Sequence, residues 1–423
     1  MKKIRFTITS LLQNPLLSGS MVMIFGTNLS NFFAYIYHVI FGRLLGPESY
    51  GTLAASLAFI GFVSSAVTFF SIVIVKFVSA ADAKHKESLL QWFFRKATII
   101  GAVVCIISTL LTPWLSAFFH IDSRILLLSG PIFVVTLLSL VFKSHLQGIL
   151  KFTQFVIVLN TEMIGRLVFA LLFVYIGWDV FGAIVGLLVS LVVGALLGRF
   201  YLKHHVIWKV PKYPVDSKEI ATYSLPILVS SFATNSLLLS DVLLIKHFFN
   251  PRDAGIYASI ATIGKIVFYA AAPLNAVMFP MVSQKHANGE KYMKVFLSSI
   301  GLTLAMSVSV LMLFLIVPHF IVGSLYGDRY SDAASNILWY GIFMTFFTLS
   351  TLVLNFFLSI GKTKLVFVAL LAAVGQIAGI WFYHDSLFSV IQISTVVSVF
   401  FFVILLLYFG FENRMSILTN KKL

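Results

Sequence analysis

Four ionisable side chains stand inside long apolar stretches of the sequence: Glu162, Arg166, Asp241 and Lys265. A charge held in hydrocarbon is costly, so each is a functional candidate by default. Glu162 and Arg166 are four residues apart, on one face of a helix and within reach of each other. They read either as a structural ion pair or as part of a working site. Lys265 lies about 15 Å into its stretch, at about ten residues of 1.5 Å rise each. Asp241 sits nearer the end of its own stretch and can pair with Lys265 or act as a structural group. The chemistry open to these four is binding. An arginine offers two parallel N–H donors and a lysine a mobile point charge, so Arg166 and Lys265 suit an anion. Glu162 and Asp241 are the carboxylates available for charge balance or for coupling to H+ or Na+.

Nothing else in the chain assembles a reaction centre. A single cysteine, Cys105, excludes an internal disulfide, a cysteine zinc cluster and an iron–sulfur site. The ten histidines form no H-E-x-x-H or other ligand spacing, so neither a metal nor a bound cofactor is expected. His204 and His205 read as solvated, while Lys143 and His145 offer a phosphate contact at the inner mouth.

The elements that must position these residues follow from composition. Of 423 residues 59% are apolar and 11% charged, and the mean hydropathy is +0.99. Soluble domains run at about 45–50% apolar and 25% charged, so a water-soluble enzyme is excluded. A membrane helix needs about 20 mostly apolar residues. Polar breaks divide the chain into twelve such stretches: 18–41, 50–75, 97–117, 125–142, 155–176, 180–198, 220–248, 255–282, 295–317, 333–360, 365–382 and 388–410. A short interfacial helix is expected around Leu11 to Leu17. The basic start Met1-Lys-Lys-Ile-Arg5 reads as the flank of a retained first span, since the apolar stretch that follows is too long for a signal peptide.

With both termini cytoplasmic, the inner segments hold 23 of the 30 Lys and Arg residues and the outer loops five: Arg43, Arg124, Lys246, Arg252 and Arg329. The inner face is then +17 and the outer −2, the asymmetry the positive-inside rule describes. Topology thus accounts for the net charge of +15, and no nucleic-acid partner is needed.

The chain is also duplicated. A shift of 204 residues lays Asn31 on Asn235, Pro47 on Pro251 and Gly51 on Gly255, with nine identities in 55 positions between residues 25 and 79. The Pro-x-x-x-Gly turn recurs, and the basic stretch from Arg199 to Lys218 separates the copies. Residues 1–210 and 211–423 are therefore read as two halves of six spans each. An even number of spans makes them parallel repeats about an axis normal to the membrane. The expected fold is an all-α polytopic membrane protein, with about twelve transmembrane helices in two parallel six-helix bundles around a central cavity. Asn31 and Asn235, equivalent by the repeat, are candidates for sugar contact or for bonds between helices. Gln376, Asn275 and Asn355 share that ambiguity.

The stretch Phe41-Gly-Arg-Leu-Leu-Gly-Pro-Glu-Ser-Tyr-Gly51, with Thr52-Leu-Ala-Ala-Ser-Leu-Ala after it, resembles the first outer loop of the polysaccharide transporters. These lipid-linked oligosaccharide flippases belong to the multidrug/oligosaccharidyl-lipid/polysaccharide exporter superfamily. The second copy, Asn250-Pro-Arg-Asp-Ala-Gly255, departs at Asn250 and Arg252. The resemblance implies a cargo, an undecaprenyl-diphosphate-linked oligosaccharide moved from the cytoplasmic to the outer leaflet of a bacterial plasma membrane. Arg166 and Lys265 would then face the cavity and attract the diphosphate, with Glu162 balancing Arg166. Polysaccharide polymerase machinery is an implied partner. A cation-coupled multidrug exporter is the alternative on the same fold, but it would favour an acid-lined cavity. A membrane enzyme would want grouped ionisable residues in a large outer loop. The longest, about residues 318–332, carries only His319, Asp328, Arg329 and Asp332.

Overall fold

The computed structural model describes residues 15–205 and 214–418. The interfacial helix expected around Leu11 to Leu17 falls mostly outside them. Among the described residues the regular elements are all helical. In chain order they are α1 (Pro15–Ala80), α2 (Ala83–Phe119), α3 (Ser123–Leu127), α4 (Ser129–Gly148), α5 (Phe152–Phe173), α6 (Asp179–Tyr201) and α7 (Ser217–Phe248). There follow α8 (Pro251–Gly264), α9 (Ile266–Ala287), α10 (Met293–Ile316), α11 (Pro318–Tyr326), α12 (Ile337–Ser359), α13 (Val366–Phe382) and α14 (Leu387–Leu418). A 3-10 segment, Asp328–Ser335, links α11 to α12.

Among the described residues, ten helical stretches are long and apolar enough to cross a membrane. Two of them are double. Met21–Ala80 has 60 residues and Phe152–Tyr201 has 50, which makes about 90 and 75 Å against a hydrocarbon thickness of about 30 Å. Each is broken by a glycine in the left-handed region, Gly46 at φ 75° and Gly177 at φ 97°, a conformation that costs glycine no steric penalty. Twelve spans in two bundles result. At the second break Trp178 stacks on Phe173, with centroids 5.3 Å apart, and closes the short turn.

Helices overrun several predicted spans. The stretch predicted from 97 belongs to α2, which already starts at Ala83 because Asp82 caps it, accepting from the His85 N–H at 2.8 Å. The stretch predicted to end at 142 continues as helix to Gly148. Residues 333–336, predicted within a span, belong to the 3-10 segment and its end.

Two compact units emerge, residues 1–38 with 63–225, and residues 39–62 with 226–423. Residues 39–62 pack with the second unit, although they lie in the first half drawn from the repeat. In the first unit, Val73, Leu90, Phe93, Val141, Leu146, Val158 and Leu202 form a fully buried apolar core. One face of α6 carries a small residue every fourth position: Gly182, Gly186, Ser190, Gly194 and Gly198. Such a stripe lets helix backbones approach in a membrane, where van der Waals packing drives association. A Cβ on Gly186 would strike the backbone of Ala170 in α5, and one on Gly194 the side chain of Glu162. In the second unit α12 is the most enclosed helix, packed by α9, α10 and α14.

The repeated turn also has a physical basis. In the first copy Gly46 takes the left-handed conformation and Pro47 opens the next helical segment. In the second copy Asn250 stays extended at φ −64°, and its side-chain oxygen accepts from the Asp253 N–H at 2.9 Å. The departure of Asn250 from Gly46 is thus an exchange of one helix-start device for another. The two turns meet inside the second unit: a Cβ on Gly51 would clash with the Gly255 backbone, and one on Gly255 with the Pro47 carbonyl.

Candidate functional site

The site residues are best described unit by unit. In the first unit α5 carries Glu162 and Arg166, and the structure does not pair them. Glu162, 2% exposed, accepts from Lys143 Nζ and from Ser139 Oγ, both on α4. This corrects the intrahelical ion pair that the four-residue spacing suggested. The stripe on α6 explains the outcome, since Gly194 leaves the carboxylate room beside α4. Spacing along one helix could not reveal a partner on another.

Arg166 turns instead to α1. Its guanidinium carbon lies 3.9 Å from the centre of the Tyr37 ring, a cation–π contact of about 1–2 kcal/mol when desolvated. Its Nε and Nη2 atoms are buried and, among the described residues, have no hydrogen-bond partner. The carboxylate that would have neutralised Arg166 is engaged elsewhere, so this cation keeps donors to offer. Nearby, Asn160 of α5 donates to the Gly26 carbonyl of α1 at 3.0 Å, holding α1 against α5. Asn31, one further turn along α1, is exposed.

In the second unit Asp241 on α7 is fully buried. Its Oδ2 accepts from Tyr340 at 2.8 Å and from Tyr257 at 3.0 Å, and its Oδ1 from the Val242 N–H at 2.8 Å. Lys265 stands at the junction of α8 and α9 and is half-buried. Its charge reaches Asp241, yet among the described residues its ammonium makes no ion pair or hydrogen bond. The structure therefore brings Asp241 and Lys265 into one neighbourhood without joining them. Asn235 donates locally to the Ser231 carbonyl at 2.8 Å.

Sequence reading missed three features. Tyr257 and Tyr340 hold Asp241, and hydropathy gives no signal for that role. Lys246, counted with the outer loops, is 4% exposed and donates to Thr52 Oγ1 at 3.0 Å. Arg43, likewise counted with the outer loops, donates to the Gly323, Ser324 and Leu325 carbonyls at the end of α11, where a cation complements the helix dipole. Gln376 donates to Ser394 across α13 and α14 at 3.0 Å. Between those two helices lies a groove of about 450 Å³ lined by Gly375, Gly379, Gln392 and Val396 among others; none of the predicted site residues lines it.

With this geometry in place, comparison with known proteins is informative. A family model described as polysaccharide biosynthesis protein matches residues 40–335. The chain belongs to this family. No curated protein matches the chain. Among solved structures, this polysaccharide biosynthesis protein is similar to an inward-facing conformation of a multidrug resistance MATE family transporter of the MOP superfamily. The TM-score is 0.76 at 15% identity, over 93% of this chain and 96% of the other. An outward-facing conformation of a MATE family transporter gives 0.67 at 16%, over 97% and 98%, and a MATE in the bent conformation 0.62 at 16%, over 96% and 98%. The polysaccharide biosynthesis protein thus has the membrane-transporter fold of that superfamily.

Proposed function

We propose that this protein translocates an undecaprenyl-diphosphate-linked oligosaccharide from the cytoplasmic to the outer leaflet of a bacterial plasma membrane, for cell-surface polysaccharide assembly, by alternating access. Both termini are cytoplasmic on this reading. The observation that carries it is the state of Arg166, a cation in a span with unpartnered, buried donors while the neighbouring carboxylate is committed to Lys143. A guanidinium in that state is poised for a diphosphate oxygen pair, which it can meet with two parallel N–H bonds. Lys265, held near Asp241 with no hydrogen bond or ion pair among the described residues, is a second cation for an anionic group. A diphosphate crossing bare hydrocarbon would shed its water uncompensated, and these cations replace that water. No bond is made or broken.

The other site assignments belong to the same proposal. Asp241 is the carboxylate for coupling to H+ or Na+, and Glu162 keeps charge balance through Lys143. Asn31 and Asn235 are sugar contacts, and polymerase machinery receives the product. The direct test measures the amount and sidedness of diphosphate-linked oligosaccharides in cells lacking the protein. Complete units should pile up on the cytoplasmic leaflet and clear when the intact gene is restored. An unchanged lipid pool with new sensitivity to cationic drugs would replace this reading with the exporter.

A further inference from the structure

The polar group left most conspicuously without a partner lies away from Arg166, at the last turn of α4. His145 is fully buried, and among the described residues neither Nδ1 nor Nε2 has a hydrogen-bond partner. Buried polar groups in folded proteins are nearly always bonded, so one with both atoms idle calls for an explanation. Its ring meets the ring of His205, just beyond α6, with centroids 5.7 Å apart and planes at 69°. The charges of Lys86, near the start of α2, and Lys151, at the start of α5, reach His145. Lys151, Arg199 and His204 reach His205, against one carboxylate, Glu87. Arg199 is partly committed, donating to the Leu202 carbonyl at 2.8 Å. Lys143, which the sequence grouped with His145, is held by Glu162 and takes no part.

A cation has no place in this cluster. The surrounding charge is positive, and no group of three metal-ligating side chains occurs among the described residues. An anion fits on both counts. It meets the excess of positive charge and offers acceptors to an imidazole N–H that has no other partner among the described residues. We propose that His145 and His205, with Lys86 and Lys151, form a phosphate-binding site at the end of the first unit where α1 joins α2, α4 joins α5 and α6 ends. The ligand is a phosphate monoester or inorganic phosphate, whether carried on a lipid headgroup or free. The site is separate from Arg166 and does not depend on the identity of the cargo.

The test uses the full-length protein in phosphatidylcholine nanodiscs and follows thermal unfolding with added sodium phosphate, against sodium chloride of equal ionic strength. A second set of nanodiscs carries phosphatidic acid in place of added phosphate. Phosphate or phosphatidic acid should raise the midpoint of the wild type by several degrees; the arm that responds identifies the source. The rise should vanish in His145→Leu and persist in Lys291→Gln, a change at an exposed lysine of the second unit. Unliganded His145→Leu should be at least as stable as the wild type, because it removes two unpartnered buried atoms. Should that variant fail to fold, Lys151→Gln serves, with phosphate binding about tenfold weaker by titration calorimetry. No response in either nanodisc, or a response kept in His145→Leu or lost in Lys291→Gln, overturns the proposal.

Discussion

Arg166 and Glu162 show how a single residue's role turns on its neighbours. Four residues apart on α5, they were legible as charges in a span, and that part of the site needed only the sequence. Their partners were not legible, because Lys143 and Tyr37 come from α4 and α1, and nothing in a one-dimensional spacing ranks an interhelical partner above an intrahelical one. Arg166→Ala should leave folding intact and cut transport at least about tenfold, the scale of one lost charge-assisted pair; assay of leaflet sidedness checks this. The Glu162–Lys143 pair behaves differently. Removing one partner from a buried pair costs about 3–5 kcal/mol, whereas replacing both is close to neutral. Glu162→Gln and Lys143→Met should therefore each lower the unfolding midpoint, and the double variant should recover most of the loss.

At the scale of elements, the positions of the spans follow from hydropathy because lipid demands long apolar helices. How those helices touch follows from small residues, a weaker signal among 26 glycines. The stripe on α6 is the clearest case: Gly194→Val should force Glu162 away from Lys143 and lower the midpoint, while Gly301→Val, at an open position on α10, should not. The disulfide crosslinking yield of a cysteine pair placed across α4 and α5 would report the shift. Helix starts are equally specific. At α2 the His85 N–H and side chain hold Asp82 below the usual carboxylate range. A depressed carboxylate pKa contributes stability above the unfolded value, and that contribution is lost as pH falls through the folded one. Amide exchange at His85 and Lys86 should accordingly quicken below about pH 4, and Asp82→Ala should show the faster rate at neutral pH.

The whole molecule is read through its charge. Basic residues crowd one set of connections, and the proposed orientation makes that set cytoplasmic. Asp216→Cys and Asp328→Cys, both at exposed positions and each made in a Cys105→Ala background, give a direct check. A membrane-impermeant maleimide should label the second in intact spheroplasts and the first only after lysis; the reverse pattern would invert the topology. The two halves were drawn at this scale from Pro47, Gly51, Pro251 and Gly255. The membership of residues 39–62 was not, because Tyr50, Thr52 and Arg43 bond to side chains and carbonyls some two hundred or more residues away.

Those residues 39–62 give the chain an unusual stitching. The polypeptide passes from one compact unit to the other after His38, back after Phe62, and again after Leu225. Two polypeptides covering 1–210 and 211–423, made from separate reading frames, would each be incomplete as a unit, the second lacking a piece that the first carries. Co-expressed, they should copurify as one complex, and the C-terminal fragment made alone should be degraded. A gene cut in two at the apparent repeat boundary would in this way still encode an obligate pair.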